Sequence, residues 1–308
     1  MKILVTGGAG FIGSHVTRQL LDKDHEVVVY DNLSRGFKKL VDQRATFIQG
    51  SVLDKESLVK ALGGIDAVIH MAAFIIVPES VEKPDLYWEN NVVGTKTLLE
   101  AMGEAKVNKI IFSSSATVYG EPDKLPLTED SPIKKAANPY GQTKIEMEKL
   151  IEAEYKKRGL SAIILRYFNP YGSNELHQPE THAIPNFIKA ILAKKPIPLY
   201  WKGEQIRDFI YVEDLAAAHI APLSLEGFHV FNVGTGEGTK VADLVNKIFD
   251  IVGYRVPIKD LGERAGDVEA NYTSAEKIKK ELGWQSKVSL EEGLKRTITF
   301  FSTANKLA

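Results

Sequence analysis

Gly7, Gly10 and Gly13 recur at every third position near the start of the chain, in Thr6-Gly7-Gly8-Ala9-Gly10-Phe11-Ile12-Gly13-Ser14-His15. An apolar run, Ile3-Leu4-Val5, comes before them, and a helical pattern from Phe11 to Leu21 follows. Glycines at this spacing between a strand and a helix allow a tight turn. They also let backbone N–H groups at the helix N-terminus approach a pyrophosphate. A second strand, Val27-Val28-Val29-Tyr30, ends at Asp31. A carboxylate there accepts hydrogen bonds from the ribose hydroxyls of an adenosine and repels a 2′-phosphate. This predicts a dinucleotide site that favours NAD over NADP, a preference weakened slightly by Arg35 nearby, because an Arg can accept that phosphate.

The same rhythm continues to about residue 170. Apolar strands are expected at Ala45 to Gln49, Ile65 to His70, Lys109 to Phe112 and Ser161 to Arg166. Helices are expected at Asp54 to Leu62, Leu86 to Glu104 and from Tyr140 to about Lys157. Short β-rich runs alternating with helices predict an α/β fold, a doubly wound parallel sheet with right-handed crossovers. Ligands of such a sheet sit at the carboxyl ends of its strands. Beyond residue 170, Pro170, Pro179, Pro185, Pro196 and Pro198 break the rhythm. Residues 1–170 therefore read as the nucleotide-binding domain. Residues 171–308 read as a smaller C-terminal substrate-binding lobe that returns strands to the main sheet.

Chemistry is carried by Pro139-Tyr140-Gly141-Gln142-Thr143-Lys144. Tyr140 and Lys144 lie one helical turn apart on one face. An ammonium there can lower the phenol pKa from about 10 toward neutrality, so that Tyr140 serves as a base. Ser113-Ser114-Ser115 ends a strand and supplies a hydroxyl to hold a reacting oxygen. His70 ends another strand and reads as a packed histidine. The seven histidines show no metal-ligand spacing and there are no cysteines, so no metal, disulfide or thiolate chemistry is expected. In the second half, Asn169, Arg207 and Arg264 could each be a solvated loop group or a donor to a diphosphate.

A net charge of −1 argues against nucleic acid or an anionic membrane as partner. No apolar run approaches the roughly 18 residues that span a bilayer, and no signal peptide is read ahead of the first strand. The expectation is a cytoplasmic enzyme.

Together these segments resemble the extended short-chain dehydrogenase/reductase superfamily, and within it the UDP-glucose 4-epimerase family. The matching stretches are Thr6 to His15, Asp31-Asn32-Leu33, His70 to Ala73, Asn90 to Thr95, Ser113 to Gly120, Tyr140 to Lys144, Arg166 to Gly172, Arg207 to Leu215, Phe231 to Gly236 and Arg264 to Asp267. The resemblance implies a Rossmann domain with Ser115, Tyr140 and Lys144 as catalytic residues. It implies NAD held by Gly7, Gly10, Phe11, Ile12, Gly13, Asp31, Asn32, Ala72, Asn91, Ser113, Tyr140 and Lys144. It implies a UDP-sugar held by Ser115, Asn169, Asn186, Arg207, Arg264, Asp267 and Asn271. The implied reaction oxidises the 4-hydroxyl of a UDP-hexose to a 4-keto sugar, which rotates and is reduced on its other face. Related dehydratases carry an Asp-Glu pair after the catalytic hydroxyl, and related decarboxylases a Glu at the second of those positions; here the two residues are Ala116 and Thr117. The chain departs from the family at Gly50-Ser51, where many members have Gly-Asp, and at Ile75, where some place a Lys. Asn271, followed by Tyr272, falls where the family limits space beside the sugar's C2 substituent, which implies that N-acetylated sugars are tolerated. A homodimer through the helices at Leu86–Glu104 and Tyr140–Lys157 is also implied. Two other readings remain: a sister enzyme acting on UDP-N-acetylhexosamine or UDP-glucuronate, and a catalytically silent NAD-binding sensor.

Overall fold

The computed structural model describes residues 1–176, 182–262 and 268–304. The first half runs β1 (Lys2–Thr6), α1 (Phe11–Leu21), β2 (Glu26–Asp31), β3 (Thr46–Gln49), α2 (Lys55–Ala61), β4 (Ala67–His70), α3 (Val77–Glu82), α4 (Pro84–Tyr87), α5 (Gly94–Glu104), β5 (Lys109–Ser115), α6 (Pro139–Arg158) and β6 (Ser161–Tyr167). After it come β7 (Asn169–Tyr171), α7 (Ala183–Leu192), β8 (Ile197–Leu199), β9 (Ile206–Arg207), β10 (Phe209–Tyr211), α8 (Val212–Ile220) and β11 (Phe228–Val233). The chain closes with β12 (Thr239–Lys240), α9 (Val241–Val252), β13 (Ile258–Asp260), β14 (Ala270–Asn271), α10 (Glu276–Leu282) and α11 (Leu290–Ala304).

Seven strands form one sheet in the order β3-β2-β1-β4-β5-β6-β11. Every neighbouring pair in it is parallel. The order reverses between β1 and β4, so a crevice opens beyond the carboxyl ends of those two strands. Strand alternation divides the core. Ile3 and Val5 pack on one face with Val16, Leu20 and Leu215, against α1 and α8. Leu4 faces the other way and packs with Leu58, Leu98, Met102 and Met147, against α2, α5 and α6. A further core gathers Ile188, Ile191, Leu244, Ile248, Leu294 and Phe301 from α7, α9 and α11, and Phe11 of α1 reaches into it. The expected return to the main sheet is made by β11, which pairs with β6 from Phe228 to Val233.

Local signals explain how the site is placed. Gly7 sits at φ +74°, and a side chain there would meet the backbone nitrogen of Ala72 at 2.8 Å. A Cβ on Gly13 would stand 2.3 Å from the Gly7 carbonyl oxygen, so only glycine lets α1 approach the turn this closely. The side chain of Asn138 caps α6 by accepting from the Gly141 N–H at 2.9 Å, with Pro139 in the first turn. Gly159, left-handed at φ +70°, ends that helix. The helix expected at Leu86–Glu104 is not uniform: Trp88–Val93 widens into a π-turn between α4 and α5. Such widened turns occur mostly at functional sites; this one carries Asn90 and Asn91.

Behind the strand ends lies a buried ion pair. Arg166 on β6 donates to Glu148 on α6, with Nη2 2.6 Å from Oε2, and both side chains are nearly inaccessible. The Ser114 hydroxyl also donates to Glu148, and Arg166 Nη1 donates to the Tyr119 hydroxyl at 3.1 Å. Removing one partner of such a pair strands a buried charge. Arg166→Leu is therefore expected to cost about 3–5 kcal/mol in urea unfolding. A loss below about 1 kcal/mol would contradict a structural role for the pair.

Candidate active site

A cavity of about 760 Å³ lies along the crevice at the β1/β4 reversal. Its size is that of a small-molecule or cofactor site. One end is lined by Gly7, Gly10, Phe11, Ile12, Gly13, Asp31 and Asn32. Gly10 occupies the N-cap of α1 and no side chain caps that helix end, which leaves its first turn turned toward an anion in the cavity. The Asp31 carboxylate accepts from the N–H groups of Ala9 at 3.1 Å and Leu33 at 2.8 Å. Burial pushes its pKa up, and those two backbone bonds pull it back.

Ser115 and Tyr140 line the same cavity. The Ser115 oxygen accepts from Thr117, from its N–H at 3.2 Å and its hydroxyl at 3.0 Å. Tyr140 is buried, and burial raises its phenol to about 12 while the Ser115 hydroxyl works the other way. Lys144 lies behind it, 2 % exposed. Its ammonium donates to the Ser113 carbonyl oxygen at 2.7 Å and stands 6.0 Å from the Tyr140 ring centre. Burial lowers Lys144 to about 7, with Glu148 one turn on opposing. The sequence leads to the expectation that this ammonium lowers the phenol toward neutrality; in the structure burial is the largest influence on both groups and moves the phenol up instead.

Asn169, Asn186, Arg207 and Asn271 also line the cavity. Arg207 and Asn271 are register partners on β9 and β14. Arg207 Nη2 donates to the Val268 carbonyl at 2.6 Å, and Nη1 to that of Ile206 at 2.8 Å. The Asn271 Oδ1 is buried without a hydrogen-bond partner among the described residues, as is Oε1 of Gln205, which lines the same cavity. Buried acceptors left open in this way fit a ligand with donors. Arg264 and Asp267 lie outside the described residues.

Three expected cofactor contacts do not line the cavity: Lys144, which lies behind Tyr140, and Ser113 and Asn91. The Ser113 hydroxyl turns into the core, 2.8 Å from Nε2 of His219 on α8. Asn91 holds the Phe74 backbone, accepting from its N–H at 2.8 Å and donating to its carbonyl at 3.0 Å, and also donates to Thr143. Its neighbour Asn90 lines the cavity instead, as do Ala72, Thr117, Asn138 and Tyr200. Asn138 is legible as a helix cap; nothing in the local pattern marks Tyr200 or Gln205. His70 is packed, with Nδ1 2.8 Å from Thr6 Oγ1 and Nε2 2.9 Å from Thr95 Oγ1.

Residues 3–234 match the NAD dependent epimerase/dehydratase family. This chain belongs to that family. It is 41% identical to a UDP-glucose 4-epimerase of Lactobacillus helveticus, over 93% of this chain and 92% of that one. A UDP-glucose 4-epimerase of Thermotoga maritima, solved with UDP-glucose, superposes with a TM-score of 0.95 at 37% identity, covering 99% of this chain and all of the other. A UDP-N-acetylglucosamine 4-epimerase of Methanobrevibacter ruminantium superposes at 0.92 with 33% identity, covering 98% of each chain.

Replacing Tyr140 with Phe keeps the ring and removes the ionisable oxygen. Turnover is expected to fall at least about a hundredfold, with the bound dinucleotide retained. Near-normal turnover in Tyr140→Phe would remove this residue from the chemistry.

Proposed function

We propose that this chain interconverts UDP-glucose and UDP-galactose by NAD-dependent epimerisation at C4. The observation that carries the reading is that Ser115 and Tyr140 line one cavity together with the glycine turn and with Asn169, Asn186, Arg207 and Asn271, with Ala116 and Thr117 next to Ser115 in the chain. A dehydratase must protonate a leaving hydroxyl with a carboxylic acid, and neither Ala116 nor Thr117 can do so. A silent sensor has no use for a buried Tyr140 and Lys144.

Residues 1–170 would hold the dinucleotide, and residues 171–308 would supply most contacts to the sugar nucleotide. Gly7, Gly10 and the first turn of α1 suit the pyrophosphate, and Asp31 and Asn32 the adenosine ribose. When bound, NAD supplies a hydride acceptor and, in its oxidised form, the positive charge that Tyr140 lacks. Tyr140 then takes the proton of the 4-hydroxyl while Ser115 hydrogen-bonds the same oxygen. After the 4-keto sugar has turned over, Tyr140 returns the proton. Lys144 holds Tyr140 in place from behind and keeps a positive potential under it. Arg207, Asn169 and Asn186 suit the diphosphate and the sugar. Because hydride leaves and returns, no net redox change occurs and the cofactor need not exchange.

The same reading makes the protein a cytoplasmic homodimer. No helix among the described residues is long and apolar enough to cross a membrane. Support for the dimer comes from Leu86, Trp88 and Val93, exposed along the α4–α5 segment, and Tyr155 on α6. Sedimentation of the intact protein tests this, and a single-chain mass would contradict it.

Purified protein given UDP-galactose and no added NAD is expected to form UDP-glucose. Absence of product while NAD stays bound would favour the sensor. Asn271, intermediate in volume and with an open acceptor, supports acceptance of the N-acetylated sugars. Asn271→Tyr is expected to abolish N-acetyl turnover and spare the plain hexoses, a steric exclusion directed at one substrate class. Equal loss of both activities would show that Asn271 is not the gate.

A further inference from the structure

Arg35 follows Asp31 by four residues and lines the same end of the cavity. Gly36, next to it, packs so closely on Asp31 that a Cβ there would lie 3.0 Å from both carboxylate oxygens. Arg35 is thus the basic residue closest in the chain to the ribose-binding carboxylate, in the position where a guanidinium would meet a 2′-phosphate. Its charge is already engaged. One guanidinium nitrogen donates to both oxygens of Glu79 on α3, at 2.8 and 2.6 Å. The guanidinium also lies 5.2 Å from the centre of the Phe74 ring.

Glu79 is itself held in place. It is 17 % exposed, against 36 % for Arg35. The Tyr87 hydroxyl donates to it at 3.0 Å, and Lys83, one turn along α3, stands 3.7 Å away. Hydrogen bonding from Arg35 holds its carboxyl below the usual range. The carboxylate is therefore fixed on α3, an element separate from the loop that carries Arg35.

We propose that Glu79 is a specificity-determining residue for the dinucleotide: by holding the Arg35 guanidinium on α3, it denies a 2′-phosphate the arginine nearest to Asp31 in the chain. Two carboxylates then set the preference for NAD. Asp31 repels the phosphate, and Glu79 removes its counter-charge. The inference rests on the proposed NAD-dependent function and adds a residue 48 positions away from Asp31 in the chain.

The test equilibrates the purified protein with an equimolar excess of NAD and NADP, then releases the bound dinucleotides with acid and resolves them by chromatography. Glu79→Gln keeps an acceptor for Tyr87 and removes the charge. It is expected to raise the bound NADP:NAD ratio about tenfold, the scale of one charge-assisted phosphate contact at a partly exposed site. Arg35→Ala alone is expected to leave the ratio unchanged, because the native guanidinium is withheld. The double variant is expected to lose the gain. An unchanged ratio in Glu79→Gln overturns the proposal. A fall in the NADP share of Arg35→Ala also overturns it, by showing that the native Arg35 already meets the phosphate; this arm needs only a substitution on an exposed loop. A gain that persists in the double variant overturns the assignment in favour of Lys83. Should the unaltered protein hold neither dinucleotide, it is the NAD-dependent function that fails.

Discussion

The ammonium of Lys144 is buried against the carbonyl oxygen at the end of β5, and the rest of the site depends on that contact. It pins α6 to the strand whose last residue is Ser115, and so sets Tyr140 and Ser115 into one cavity. A lone buried ammonium is costly. Glu148, one turn along α6, opposes the loss of charge, and is itself satisfied by Arg166 and Ser114. Arg166 reaches Tyr119, and Tyr119 donates to Asn232 on β11 at 2.6 Å. One polar network therefore ties α6, β5, β6 and β11 together behind the reacting groups. Its end is left open, since the Asn232 Nδ2 is buried without a hydrogen-bond partner among the described residues, while the Glu148–Arg166 centre is fully engaged.

That rigidity suits the chemistry. Burial holds the Tyr140 phenol at about 12 and Lys144 at about 7 in the protein alone. In the proposed reaction an oxidised nicotinamide would add a positive charge beside that phenol. The cavity sits where the strand order reverses, so the glycine turn after β1 and the end of β5 open onto the same space. The small strand pair β9–β14 brings Arg207 and Asn271 over that space from the later part of the chain.

Much of this was legible from short-range pattern. The Gly7–Gly10–Gly13 turn, the apolar strands and the Tyr140/Lys144 spacing each follow from local geometry, and each names its own element. Side-chain direction was less legible. Ser113 and Ser115, two apart, share a face of β5, and only the partner of Ser113, His219, shows that its hydroxyl is taken up in the core. Asn90 lines the cavity and Asn91, the expected contact, does not; a π-turn, invisible to a 3.6-residue pattern, lies under both. The Glu148–Arg166 pair and the Arg35–Glu79 pair join residues on different elements, and neither partner carries a motif of its own. The strong shift of Tyr140 away from neutrality was also not readable, since it depends on how deeply α6 is packed.

The central claim is that hydride leaves C4 of the sugar and returns to the same carbon without reaching solvent. Incubation of the protein with UDP-galactose deuterated at C4, followed by mass and proton spectra of the UDP-glucose formed, tests it directly. The account predicts product that keeps the deuterium at C4, with no solvent hydrogen incorporated there. Wash-out of the label into water would mean that C4 loses a proton rather than a hydride, and would contradict the mechanism built on Tyr140, Ser115 and a held dinucleotide.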